Sequence, residues 1–529
     1  MNVYFLGMCI SMVIYLFIGV FVSKKVKNAD DFYVAGRQAP VYLIAGSMIA
    51  SYASTSLFMG DAAECYSGAF SSLIILSTMQ VAGYILGAVF FGRFLRRSNT
   101  LTIPEFFGKR FASEKVHILS AIIAIITMCV YLIAISQGIG TLMSFVTKVD
   151  YNICVIISLV VVTFVTVISG SRGVLITDTL MASLFTLALI CAAFFISGHS
   201  GGWFDSIEAL AQNPETALYL AWSGKPGAVY DSGFHNVAWG VVYGIVWLSV
   251  CMVGPWQSSR YLMAKNEHTV VRSSFIAAFG IFLIEFLAGM SAVMVNIKNP
   301  DLENSSYVLI FAAMNMMPKI LGIVLLTGVL AAGISSGTTF LSLIGASIAN
   351  DVVKKKGNDA IKIGKISMVV VAVLVCVFVI INPPSIFWIT FFGGAIVASS
   401  WMPVAIASIV SKRITKTGAF AGMLAGFVGC FTVKMFAYIK NISLPFYFDP
   451  SVVGMVVNII FMIVVSAITH VSDDEEKARQ IMFIIPEEEK EYGEVKKTLK
   501  ITKMSFLLGL LIIGVLLAFW VIPYRMSRY

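Results

Sequence analysis

Apolar runs of about 20 residues recur along the whole chain, each long enough as a helix to cross a bilayer. In hydrocarbon every backbone N–H and C=O must be satisfied within the protein, which leaves helices or a closed barrel. Barrel strands would show short alternating segments instead of continuous apolar runs. The chain is therefore read as an all-α polytopic membrane protein with about 14 transmembrane helices. Fourteen spans are expected, at 4–22, 41–63, 70–91, 117–146, 152–169, 174–197, 236–256, 274–296, 319–346, 365–382, 385–410, 417–437, 452–470 and 504–523. Of the 529 residues 58% are hydrophobic and 12% charged, and the mean hydropathy is +0.89. A soluble domain carries about 25% charged residues. The first run has neither a basic leader nor a small-residue cleavage site, so it is expected to be retained.

The loops fix the expected orientation. Those at 23–40, 92–116, 170–173, 257–273, 347–364, 411–416 and 471–503 hold most of the 37 Lys and Arg residues. Basic loops face the cytoplasm, which puts both termini outside the cytoplasm in a plasma (inner) membrane. The basic tail Arg525–Arg528 runs against this, and the last span is the weakest assignment. The net charge of +9 is accounted for by orientation and implies no nucleic-acid partner.

Enzyme chemistry is not expected. Seven of eight cysteines lie within apolar runs and none forms a CxxC pair. No nucleophile–base pair, phosphate-binding glycine loop or metal-ligand cluster is present.

Two stretches are too polar for spans that only fill space. Within Gly328–Asn350, Ser335, Ser336, Thr338 and Thr339 follow Ala331–Ala332, and Ala332, Ser335, Ser336 and Thr339 share one helical face. Such a face suits close helix packing, and equally a small hard cation such as Na⁺. The second span carries Ser47, Ser51, Ser54, Thr55 and Ser56, then Asp61 and Glu64. So many hydroxyls compete with helical hydrogen bonds, and a break near Ala50–Ser54 would free carbonyls for a cation. Gly254–Pro255 predicts a second break in the seventh span. Asp178 and Glu285 are embedded acids, the latter without an evident partner. The fourth span contains Ser136–Gln137 but no arginine or lysine to clamp a carboxylate. GGWFDSIEALAQ in the 198–235 loop reads as a surface helix, NPPS at 382–385 as a tight turn, and 471–503 as a solvated charged linker.

Four stretches together resemble the sodium:solute symporter family, that of the sodium/proline and sodium/galactose symporters. They are DDFYVAGRQAP with the hydroxyl-rich second span, ITDTLM, LAAGISSGTT and SKRITKTGAFAGMLAG. ITDTLM departs from the family's W-T-D-x-x-Q pattern at Ile176 and Met181. The resemblance covers about residues 4–470 and implies a LeuT-like fold of two inverted five-helix repeats with extra flanking helices. It divides the chain into a peripheral helix and loop (1–40), a first repeat (41–197), an extracellular loop (198–235) and a second repeat (236–410). Two peripheral helices (411–470), the charged linker (471–503) and a terminal helix (504–529) follow. The implied function is sodium-coupled secondary active import of a small organic solute by alternating access. A membrane-embedded solute sensor, or a proton-coupled transporter on the same fold, are the alternatives. The resemblance implies one sodium ion held by carbonyls of Ala50, Ala53 and Ala332 and hydroxyls of Ser335 and Ser336. Some members hold a second with residues at the positions of Asp178, Ser335, Thr338 and Thr339. Solute-lining positions are Ser51, Tyr52, Ser54, Leu57 and Leu76; the last two are polar in sugar- and sialate-carrying relatives. Asp61 falls near an outer gate, where it would favour a cationic or zwitterionic solute, and Trp256 near an inner one. Oligomeric state is left open; the bilayer and the solute are the expected partners.

Overall fold

The computed structural model describes residues 3–23, 29–381 and 385–528. They are helical apart from connecting turns, and no strand occurs among them; Ala39 and Ala264 form one isolated bridge. Each expected span is met by a helix. Twelve helices among the described residues are long and apolar enough to cross a bilayer. The second span falls short as one piece because it is broken. NPPS begins at 382–384, outside the described residues.

Both expected breaks are present, with different local causes. Val41–Tyr52 ends where Ala53 leaves helical geometry at φ −70°, ψ 71°, and the chain coils again from Ser56. The Ser54 hydroxyl accepts from Ser56 N at 3.2 Å, a local bond that competes with the helical one. Gly233–Val253 ends at Gly254, ψ 136°, and Pro255–Met263 restarts as a short helix. Proline lacks an N–H and bars helical geometry at the residue before it. Ala53 follows 12 helical residues from the end bearing the basic loops, and only 9 helical residues separate Gly254 from that same end. The eleventh span also bends, between Ile386–Ser400 and Met402–Val410, beside Pro403.

The fifth and sixth spans run on without a loop as Tyr151–Gly198, 48 residues. Both ends lie at the same end of the bundle. Tyr151 lines a cavity with Tyr307, and His199 Nε2 is 2.9 Å from Met316 O, just beyond the helix that follows Tyr307. A straight helix of that length would be about 72 Å long, so the chain turns back between the two crossings.

Two expectations for the periphery are revised or sharpened. Trp203–Gln212 is helical, as expected, and its loop packs on the last span: Trp520 Nε1 donates to Leu220 O at 2.9 Å. The 471–503 segment is not simply solvated. Its two helices, Asp473–Phe483 and Tyr492–Lys503, are joined by a turn whose Glu489 is buried. Glu489 accepts from Glu267 N at the start of the eighth span, and Arg272 pairs with Glu494 at 2.6 Å. The segment is docked because its carboxylates find donors there.

Candidate functional site

The site begins with two carbonyls that the broken helix has released. In an unbroken helix Ser54 N would bond Ala50 O and Leu57 N would bond Ala53 O. Instead Ser54 N bonds Tyr52 O at 2.7 Å and Leu57 N bonds Ser54 O at 3.2 Å. The ninth span lies against this segment, with Ser336 Oγ donating to Ser51 O at 3.4 Å. Close approach is made possible by glycine. A Cβ on Gly333 would come within 2.8 Å of the Thr55 methyl, and one on Gly138 within 2.5 Å of Thr55 Cβ. Thr55 is thus seated between the fourth and ninth spans, and the broken segment lies against the ninth span without intervening side-chain bulk at Gly333. Ala50, Ala53, Ala332 and Ser336 are all fully buried. Neutral carbonyl and hydroxyl oxygens from a broken helix and its neighbour are the donor set a small hard cation takes.

Asp178 is fully buried, with Ser335 donating to Oδ1 at 2.5 Å and Ser47 to Oδ2 at 2.5 Å. Its counter-charge is Arg260, whose Nη2 lies 3.0 Å from Oδ2 and also donates to Thr339 Oγ1 at 2.9 Å. The same guanidinium donates to Ser47 and to the carbonyl of Trp256, at 3.0 and 2.7 Å. Sequence reasoning had counted Arg260 among cytoplasmic loop charges. The signal that relocates it is Pro255: a proline in the first turn starts a helix, and Pro255–Met263 carries Arg260 back into the bundle. Thr338 turns to its own helix, donating to Ser335 O.

Above this pair lies a small cavity lined by Ser51, Tyr52, Ser54, Leu57, Asp61 and Trp256, all expected, together with five residues that sequence reasoning did not find. These are Ser56, Tyr131, Trp247, Phe340 and Thr390. Leu76 is buried but lies outside this lining. The rings enclose the space: Tyr131 stands 4.2 Å from Trp256 and 5.5 Å from Phe340, and Tyr52 stands 5.4 Å from Trp247. No lysine or arginine lines it, and the Tyr131 hydroxyl is buried there without a hydrogen-bond partner. The open volume is about 10 Å³, room for a single water, so the centre is closed in this conformation. A larger cavity of about 490 Å³, lined by Gly60, Glu64, Thr141 and Phe387 among others, opens at the end away from the basic loops. Glu285, unassigned from sequence, meets Tyr52 and Gln80 beside Asp61.

A family model described as the sodium:solute symporter family matches residues 32–426. The sodium/proline symporters of Salmonella typhimurium (strain LT2) and Escherichia coli (strain K12) are 25% and 24% identical to this chain. Each alignment covers 82% of this chain and 88% of the relative. Among solved structures, a Na⁺-coupled sialic acid symporter in a substrate-bound outward-open state matches with a TM-score of 0.73 at 17% identity. The match covers 89% of this chain and 99% of that one. A nucleobase-cation-symport-1 family transporter in a closed conformation matches with a TM-score of 0.50 at 11% identity, covering 85% and 98%. Both structural likenesses show the fold, that of LeuT-like transporters.

Proposed function

The chain belongs to the sodium:solute symporter family, and on that premise we propose where it holds its ion and its solute. It is a multi-pass membrane protein that couples solute transport to sodium. The ion is placed between the second and ninth spans, at the carbonyls of Ala50, Ala53 and Ala332 and the hydroxyls of Ser335 and Ser336. The observation that carries this placement is the diversion of Ser54 N and Leu57 N away from Ala50 O and Ala53 O. Ion binding there bridges the broken helix to the ninth span and holds the end away from the basic loops open to solute. Solute binding closes that end, and release of the ion on the low-sodium side frees the inner gate at Trp256. The repeats at 41–197 and 236–410 supply the two moving halves. Both termini are placed outside the cytoplasm, on the support of the basic loops.

We read the stoichiometry as one sodium ion. A second at Asp178, Ser335, Thr338 and Thr339 would join the Arg260 guanidinium against a single carboxylate. That would leave a net buried positive charge, which is costly in low dielectric. One Na⁺ crossing 100 mV gains about 2.3 kcal/mol, and a tenfold gradient adds about 1.4 kcal/mol. Together these sustain accumulation of a neutral solute by several hundredfold.

The solute is placed in the cavity among Ser51, Tyr52, Ser54, Leu57, Tyr131, Trp247, Trp256 and Phe340. Asp61 with a surround of aromatic faces and no basic side chain suits a solute bearing an ammonium group, because ring faces attract cations. The test is thermal unfolding of the purified protein with and without sodium, against amino acids, betaines, other quaternary amines, sugars and carboxylates. Amines that stabilise only in sodium support both placements. Stabilisation by sugars or simple carboxylates instead refutes the solute class and leaves the ion site standing. Ser336→Ala tests the ion alone: loss of one ligand is expected to weaken sodium binding about tenfold or more. An unchanged sodium midpoint refutes the placement.

A further inference from the structure

We infer that Glu285 is a proton-binding site, filled in this closed conformation. Tyr52, Gln80 and Glu285 form a ring of three polar contacts. The Tyr52 hydroxyl lies 2.6 Å from Gln80 Oε1 and 2.5 Å from Glu285 Oε1, and Gln80 Nε2 donates to Glu285 Oε2. Oxygens this close are hydrogen-bonded, and each contact needs its own proton. Tyr52 has one. If it points to Gln80, the contact with Glu285 must be made by a proton on the carboxyl, donated to the phenolic oxygen.

Turning the Gln80 amide does not remove the need. Amide oxygen and nitrogen are assigned from the network and not observed. In the turned form Gln80 Nε2 donates to Tyr52, Tyr52 donates to Glu285 Oε1, and Gln80 Oε1 faces Glu285 Oε2. That last pair again requires a proton on the carboxyl. Both orientations are one proton short with ionised Glu285, and both balance with the acid.

The surroundings offer no other source of positive charge. The titratable groups facing Glu285 are Tyr52, Asp61 and Cys65 on the second span and its outer extension, Tyr84 on the third, and Cys251 on the seventh. Glu64 stands beyond Asp61. No ion pair reaches Asp61 or Glu285 among the described residues. Asp61 lines the same small cavity as Glu285, so a proton on Glu285 leaves at most one negative charge there. Ser77, on the third span with Gln80, is fully buried and stands beside the same carboxyl. Tyr52 also lines the solute cavity. The proton is therefore one side chain from the solute, and a solute that engages the Tyr52 hydroxyl releases the constraint that holds it. Transport then depends on pH as well as on sodium.

The inference stands apart from the solute's identity and is tested without it. A proton held in the folded state and lost on unfolding makes stability fall as pH rises. Glu285→Gln keeps the ring, with the amide N–H in place of the carboxyl O–H, but carries no titrating proton. Thermal unfolding of both proteins in sodium is followed from acidic to alkaline pH. The wild type is expected to lose stability relative to Glu285→Gln as pH rises, by up to about tenfold in the folding equilibrium per pH unit. Parallel curves overturn the inference. Should Glu285→Gln not fold, Tyr52→Phe takes its place. Without the hydroxyl the single remaining contact, Gln80 to Glu285, balances with an ionised carboxylate, so the fall moves to lower pH than in the wild type; superimposed curves overturn the inference.

Discussion

Replacing Arg260 with methionine tests how the centre is held and how many ions it takes. The guanidinium is 1% exposed and donates to Asp178, Thr339, Ser47, Ser259 and the Trp256 carbonyl. Methionine keeps much of the length and none of the charge. It leaves the Asp178 carboxylate buried with only the Ser47 and Ser335 hydroxyls. Breaking a buried pair by removing one partner costs about 3–5 kcal/mol. Removing both with Asp178→Asn/Arg260→Met is expected to restore most of that loss, because the uncompensated charge is gone. The double-mutant cycle, read by thermal unfolding in potassium buffer, should therefore give a coupling of about 3 kcal/mol. Sodium supplies a second readout. In Arg260→Met the free carboxylate beside Ser335, Thr338 and Thr339 becomes a cation site, so added sodium should restore stability by RT ln(1 + [Na⁺]/Kd) beyond the wild-type response. The wild type should show a Hill coefficient for sodium near one. Additive single substitutions, or a sodium response no larger than that of the wild type, would refute the reasoning that Arg260 occupies the place of a second ion.

Two further outcomes follow from the packing. Gly333→Ala puts a Cβ within 2.7 Å of Ile139 and 2.8 Å of Thr55, so it should destabilise by about 1–3 kcal/mol and weaken sodium binding by pushing the broken segment off the ninth span; sodium-dependent thermal shifts check both. At the docked linker, burial lifts the Glu489 carboxyl above its ordinary range, against the opposing N–H of Glu267. A raised acid binds its proton more tightly in the folded state, so this contribution is present at low pH and lost as pH rises; Glu489→Gln should flatten that part of the pH–stability curve, measured by thermal unfolding.

Some of this protein is legible in its sequence because bilayer physics acts on local runs. Span positions follow from apolar length, since no other arrangement satisfies the backbone in lipid. The break at Ala53 follows from a crowd of hydroxyls, and that at Gly254 from the missing N–H of Pro255. The hydroxyl face of the ninth span follows from helical periodicity. These features depend on neighbours within one or two turns.

What depends on distant residues was decided by the tertiary structure. Arg260 looked like a loop charge until the helix after Pro255 carried it to Asp178, 82 positions away. Tyr131, Trp247, Phe340 and Thr390 are unremarkable in their own spans and form one cavity only because four helices converge on the second. Glu285 had no partner in sequence, and its proton becomes countable only when Tyr52 and Gln80 are placed beside it. A charge's partner is set by proximity in space, and chain order does not encode it; periodicity along one helix shows which face is polar, but only packing shows what that face meets.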